Sequence, residues 1–93
     1  MTQEIEILMD VAVLGKQAEN FMASELGRFL LGRADAEVLT GVAQLKNLAH
    51  TDANAIRLAQ AQVWRGESLR DWLEEAVRAG LKAQDVLEDR DSD

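Results

Sequence analysis

The stretch from residue 53 to residue 80 most constrains the fold, because its apolar residues recur at steps of three and four. Steps of this size place side chains on one face of an α-helix. At about 1.5 Å per residue, such a helix spans roughly 40 Å. The pattern predicts a long amphipathic helix over residues 53–79, followed by Gly80 as the glycine that commonly terminates a helix. The stripe consists of Ala59, Val63, Gly66, Leu69, Leu73 and Val77.

The composition also favours helix over strand. The chain of 93 residues contains no proline and is rich in Ala, Leu, Glu, Gln and Arg, which lose little side-chain freedom in a helix. A chain this short forms one domain with a modest core. It contains no cysteine and no His/Cys cluster that would stabilise that core with a disulfide or a metal ion. We therefore expect an all-α domain stabilised by helix packing or by oligomerisation.

Residues 3–23 are predicted to form the first helix, which has more apolar residues than one packing seam requires. The expected seam follows alternating steps of four and three. The surplus residues indicate either a face for oligomerisation or additional packing within the chain. The expected seam contains Ile7, Val11, Leu14, Ala18 and Phe21, and the surplus consists of Ile5, Leu8, Met9, Ala12 and Val13.

Residues 25–49 are predicted to form the second helix, after a break near Ser24, a residue type that caps helices. Two apolar stripes run along this segment, roughly opposite each other by the helical period. They predict a central helix flanked on both sides. The broad stripe contains Gly27, Leu30, Leu31, Ala34, Val38, Gly41, Val42, Leu45 and Leu48, and the narrow stripe contains Phe29, Gly32, Ala36, Leu39 and Ala43.

A short loop around residues 50–52 separates the second and third helices. Thr51 or Asp52 is expected to cap the third helix, and so short a connection makes the two helices antiparallel neighbours. Beyond Gly80 we expect a short fourth helix or a packed C-terminal tail. The sequence thus predicts a small bundle of three main helices, with residues 1–87 as a single domain and residues 88–93 as an acidic, disordered tail.

Catalytic chemistry has little support in the sequence. The single histidine, His50, follows a helical segment, where an imidazolium interacts favourably with the helix dipole. Asp71 and Glu75 lie one turn apart, but nearby arginines indicate a solvated, ion-paired face. We therefore predict no enzyme activity, no catalytic or metal-binding residue and no cofactor.

The charge distribution bears on partners. The formal net charge is −7, and residues 53–84 are nearly neutral, with four acidic and five basic side chains. Direct DNA binding is not expected, because phosphate neutralisation requires clustered Lys and Arg. No apolar run approaches the roughly 20 residues that cross a bilayer, so no membrane association is expected. Glu4, Glu6 and Asp10 are atypical of a secretory signal, which favours a cytoplasmic location.

The two tryptophans are candidates for binding a partner. If the stripe of the third helix faces the core, Trp64 lies roughly opposite it and Trp72 lies on its flank. Exposed aromatic residues are enriched at binding hot spots. The alternative is that Trp64 packs against the first helix or the tail. The predicted partner-binding residues are Trp64, Trp72 and Arg65 on the third helix, and Ile5, Leu8 and Met9 on the first.

Two segments resemble short helical proteins encoded by tailed bacteriophages and prophages. The first is FMASELGRFLLGRADAE, beginning at Phe21, and the second is AIRLAQAQVWRGESLRDWLEEAVRAG, ending at Gly80. The resemblance implies a helical fold and a phage setting, in the host cytoplasm or on the virion, and assigns no role to a residue. With a protein partner or a homo-oligomer expected, it favours an accessory of virion assembly or genome packaging. The alternative is an acidic inhibitor that occludes a host nucleic-acid-binding protein.

Overall fold

The computed structural model describes residues 2–91, which form three α-helices and no strand. The helices are α1 (Thr2–Ala23), α2 (Glu25–Asn47) and α3 (Ala53–Asp91). The predicted all-α class is confirmed. Contacts divide the chain into two compact units. Unit 1 combines α1 and Ser24 with the part of α3 from Trp72 onward, and unit 2 comprises Glu25–Asp71. The extent of a single domain over residues 1–87 stays a prediction.

Unit 1 is an antiparallel helix pair built on two glycines. A Cβ added to Gly15 would lie 2.7 Å from the Cα of Gly80, so the two backbones touch where the helices meet. At the start of α1, Glu4 Oε1 accepts a hydrogen bond of 2.9 Å from Arg90 Nη2 near the end of α3. Glycine permits this approach because it has no side chain.

The face of α1 that packs in unit 1 differs from the predicted seam. Ala18 is buried, but Ile7 and Leu14 are 56% and 59% exposed. The reason is that the close glycine contact centres the packed face on Gly15, which moves the larger Ile7 and Leu14 to its edge.

Gly80 does not end α3, and this prediction was wrong. The helix continues to Asp91, so the described residues contain no separate fourth helix, and the segment after Gly80 packs as part of α3, with Ala83 buried. No described glycine has a positive φ, the conformation typical of a terminating glycine. Gly80 serves helix packing instead. Residues 88–91, predicted to be disordered, are helical, and residues 92–93 lie outside the described range.

Unit 2 is a second antiparallel pair, formed by α2 and the first part of α3. Gly41 packs against Val63, and Gly66 packs against Ala34 and Val38. Leu31 is 4% exposed and Ala59 is 2% exposed. The predicted stripe of α3 thus supplies the packed face of this unit, in agreement with the sequence pattern.

The helix boundaries in unit 2 follow local signals. The helix α2 ends at Asn47, two residues before the predicted end. The N–H of Asp52 donates to the carbonyl of Ala49 at 3.0 Å, which forms the turn. Asp52 Oδ1 then accepts from the N–H of Ala55 at 3.1 Å. This is an N-cap of α3, as the sequence predicted for Thr51 or Asp52.

Candidate interaction surface

Most of the buried apolar residues are alanines. Among the described residues they are Ala18, Leu31, Ala59 and Ala83, and none of the larger side chains is completely buried. Many large apolar side chains are instead exposed to solvent. Such residues commonly mark an interaction site where several of them share one contiguous face. The exposed set contains Ile7, Met9, Val13, Leu14, Leu26, Phe29, Leu39, Val42, Leu58, Trp64, Trp72 and Leu81.

One exposed apolar face runs along α2, and we call it the α2 outer face. It consists of Phe29, Gly32, Ala36, Leu39 and Ala43. All five residues are exposed, with Phe29 at 62% and Leu39 at 72%. Their alternating steps of three and four residues are those of a seam between two packed helices. The expectation that α2 is flanked on both sides was wrong, because the broad stripe packs in unit 2 and the narrow one is exposed.

Gly32 differs from the glycines that pack the helices. A Cβ added to Gly15, Gly41, Gly66 or Gly80 would lie 2.6–2.7 Å from a neighbouring atom. A Cβ added to Gly32 would meet nothing within 4 Å. Glycine inside a helix costs about 1 kcal/mol relative to alanine. A close helix contact accompanies that cost at the other four positions, but no such contact is present at Gly32.

Charged residues stand at both ends of the α2 outer face. Glu25 is the first residue of α2 and Lys46 lies in its last turn. They continue the same alternating spacing beyond Phe29 and Ala43. Within the described chain, neither forms an ion pair. By contrast, Asp35 pairs with Arg70 at 2.8 Å.

The predicted tryptophan sites are both exposed, and they belong to different units. Trp64 is 64% exposed in unit 2, whereas Trp72 is 62% exposed in unit 1. The exposure of Trp64 places its indole outside the core. Arg65 Nη2 lies 3.7 Å from Glu37 Oε2, with the Arg65 side chain largely in solvent and the Glu37 side chain partly exposed. Exposed pairs of this kind contribute little to stability. The roles of these residues in binding stay predictions.

The predicted residues on α1 are less uniform. Ile5 and Leu8 are half-buried in unit 1, whereas Met9 is 54% exposed. Ile7 and Leu14 are more exposed than either half-buried residue, although the sequence pattern assigned them to the packed seam. Ile7 and Leu14 are seven residues apart, and this spacing places them on one side of the helix whether that side is buried or exposed.

Replacement of Trp64 by alanine is expected to change the free energy of unfolding by no more than about 0.5 kcal/mol, because exposed side chains contribute little to folding. Chemical denaturation followed by circular dichroism measures this change. Trp72→Ala is the matched comparison, since its exposure is nearly equal. A loss for Trp64→Ala of several kcal/mol would show that the indole is part of a packed core.

A groove of about 440 Å³ in unit 1 is lined mainly by apolar atoms, and at its rim Arg78 Nη1 lies 4.0 Å from Glu74 Oε2. His50 is exposed in the loop. Over residues 2–91, no group of three or more His, Cys, Asp or Glu side chains is arranged to hold a metal ion. None of the described helices combines the length and apolar character required to cross a membrane.

Comparison of the chain with models of known protein families, with curated protein sequences and with solved structures gives no match in any of the three.

Proposed function

We propose that this chain is a non-enzymatic helical protein that acts through protein–protein contacts, beginning with association between copies of itself. The observation that carries the proposal is the contrast between a core made largely of alanine and glycine and the exposed large apolar side chains. Fully burying a side chain such as Phe or Leu contributes about 1.5–3 kcal/mol. Association between copies buries apolar side chains that folding of a single chain leaves exposed.

The biological setting that we propose is a phage or prophage, where the protein serves as an accessory of virion assembly or genome packaging. The support is the resemblance in residues 21–80 to helical phage proteins. The protein would then act in the host cytoplasm or on the virion. Terminase and capsid genes beside the gene for this protein would agree with this setting. Absence of the protein from purified virus particles would count against a virion-bound role.

A second candidate is an inhibitor that occludes a host nucleic-acid-binding protein. The net charge of −7 favours it, with five acidic residues among the last nine. Acidic surfaces attract proteins whose binding sites are basic. A location in an early operon, away from structural genes, would favour the inhibitor over the assembly accessory.

Size-exclusion chromatography with light scattering tests the self-association on which the first proposal depends. We expect a mass of at least two 10.3 kDa chains at protein concentrations from about 10 µM upward. A mass of one chain up to about 1 mM would contradict self-association, because an interface of standard size gives a tighter complex.

A further inference from the structure

From the pattern of the α2 outer face, we infer that two copies of this chain pair through it in an antiparallel, two-fold arrangement centred on Ala36. The inference rests on the proposed self-association and specifies the surface that mediates it. The α2 outer face is exposed along its length, and its spacing is that of a helix–helix seam.

The sizes of the side chains agree with antiparallel pairing. In a two-fold arrangement, residues equally distant from the centre face one another. Phe29 and Ala43 are each seven positions from Ala36, so Phe29 of one copy meets Ala43 of the other. Leu39 is three positions from Ala36 and Gly32 is four, so Leu39 of one copy lies beside Gly32 of the other, offset by one residue along the helix axis. Each large side chain thereby meets a small one, as close packing requires.

Gly32 provides a separate indication of a close neighbour. The glycines that pack within the chain have another helix within contact distance, whereas a Cβ on Gly32 would meet open space. In the proposed pair, the other copy's Leu39 occupies this space. Gly32 then has the same role between chains that Gly41 and Gly66 have within one chain.

Charge determines the direction of pairing. In the antiparallel arrangement, Glu25 at one end of the α2 outer face lies near Lys46 of the other copy. In a parallel arrangement, Glu25 would face Glu25 and Lys46 would face Lys46. Opposite charges across an interface favour the first arrangement, and like charges oppose the second.

Charge also disfavours pairing of two copies through α1. That helix carries Glu4, Glu6, Asp10 and Glu19 against a single Lys16. Lys16 already lies 3.6 Å from Glu19 of its own helix. Two copies of α1 would bring acidic residues together, whereas two copies of α2 bring opposite charges together.

A cysteine crosslink tests the position of the two-fold axis. The chain has no native cysteine, so each variant carries one thiol. Ala36→Cys is expected to form a covalent dimer on mild oxidation, because residues at the axis approach within the 4.4–6.8 Å between Cα atoms that a disulfide requires. Ala61→Cys is the control, since Ala61 is an exposed residue of α3 in the same unit. Equal crosslinking of both variants, or none at position 36, would overturn the proposed axis.

Charge substitutions test the surface and the direction independently. Ala36→Glu brings two carboxylates together at the axis and is expected to raise the dimer dissociation constant by about 100-fold or more. Ala61→Glu should leave that constant unchanged. Glu25→Lys or Lys46→Glu alone should weaken the dimer, and the double variant should restore it. Circular dichroism verifies that each variant remains helical.

The outcomes separate this inference from the proposed function. If the wild-type protein associates but Ala36→Glu does not weaken it, self-association stands and the α2 outer face is not the interface. If Ala36→Glu dissociates the dimer but the double charge variant does not restore it, the antiparallel direction is wrong. A wild-type protein that stays monomeric overturns both the inference and the proposed self-association.

Discussion

Replacement of Gly80 by leucine is expected to destabilise the protein by about 3 kcal/mol or more, at the upper end of the cost of overpacking. A Cβ at Gly80 would already lie 2.7 Å from the Cα of Gly15 and 3.3 Å from the carbonyl oxygen of Val11. These atoms belong to the backbone of α1, which cannot move aside as a flexible side chain does. The helices of unit 1 must therefore separate to admit the added atoms.

Ala79→Leu is the matched control, because Ala79 precedes Gly80 on α3 and is exposed. We expect that variant to change the free energy of unfolding by no more than about 0.5 kcal/mol. Both variants are measured by urea denaturation at one protein concentration, since association shifts apparent stability. Equal unfolding midpoints for the two variants would contradict the backbone contact between Gly15 and Gly80.

Replacement of Leu31 by alanine is expected to cost about 2–5 kcal/mol, the range for deleting a buried leucine side chain. Leu31 is 4% exposed and is the only large apolar residue among those buried in the described chain. Small domains are stable by about 5–15 kcal/mol, so this loss is a large share of the total. The other buried apolar residues of the described chain are alanines, whose side chains are too small to fill the cavity left by Leu31→Ala.

The control for Leu31→Ala is Leu58→Ala, which removes the same atoms from a residue that is 73% exposed in the same unit. Its effect should stay near zero, within about 0.5 kcal/mol. Thermal and urea unfolding compare the two variants. If Leu58→Ala were as harmful as Leu31→Ala, the division between core and surface in unit 2 would be wrong.

Local signals made several features predictable from the sequence. The stripe of α3 was identified by its period, and Asp52, one of the two residues expected to cap that helix, does so. The break at Ser24 was also located correctly, since α1 ends at Ala23 and α2 begins at Glu25. These features depend on residues within a few positions of one another, so one segment of sequence contains the required information.

The errors concern features that depend on distant contacts. Glycine suits both a helix end and a close helix crossing. The neighbour that decides between these roles for Gly80 is Gly15, which is remote in sequence. The same contact between Gly15 and Gly80 determines which face of α1 packs in unit 1. The positions of the large apolar residues alone did not indicate that face.

The candidate surface was predicted only in part. The narrow stripe of α2 was recognised from its period, but the sequence suggested that it faces another helix of the same chain. Its exposure became evident from the structure, in which α2 packs in unit 2 through its broad stripe. A periodic pattern identifies an apolar face without identifying the molecule that covers it.

Hydroxyl-radical footprinting of the wild-type protein shows whether the α2 outer face is covered when the protein associates. Phe29 and Leu39 are measured against Leu58, which is as accessible as Leu39 in a single chain and lies outside the α2 outer face. We expect Phe29 and Leu39 to be protected in the wild-type protein and labelled in the Ala36→Glu variant, with Leu58 labelled in both. Labelling of Phe29 and Leu39 to the same extent in the associated wild-type protein and the variant would show that the α2 outer face is not the interface.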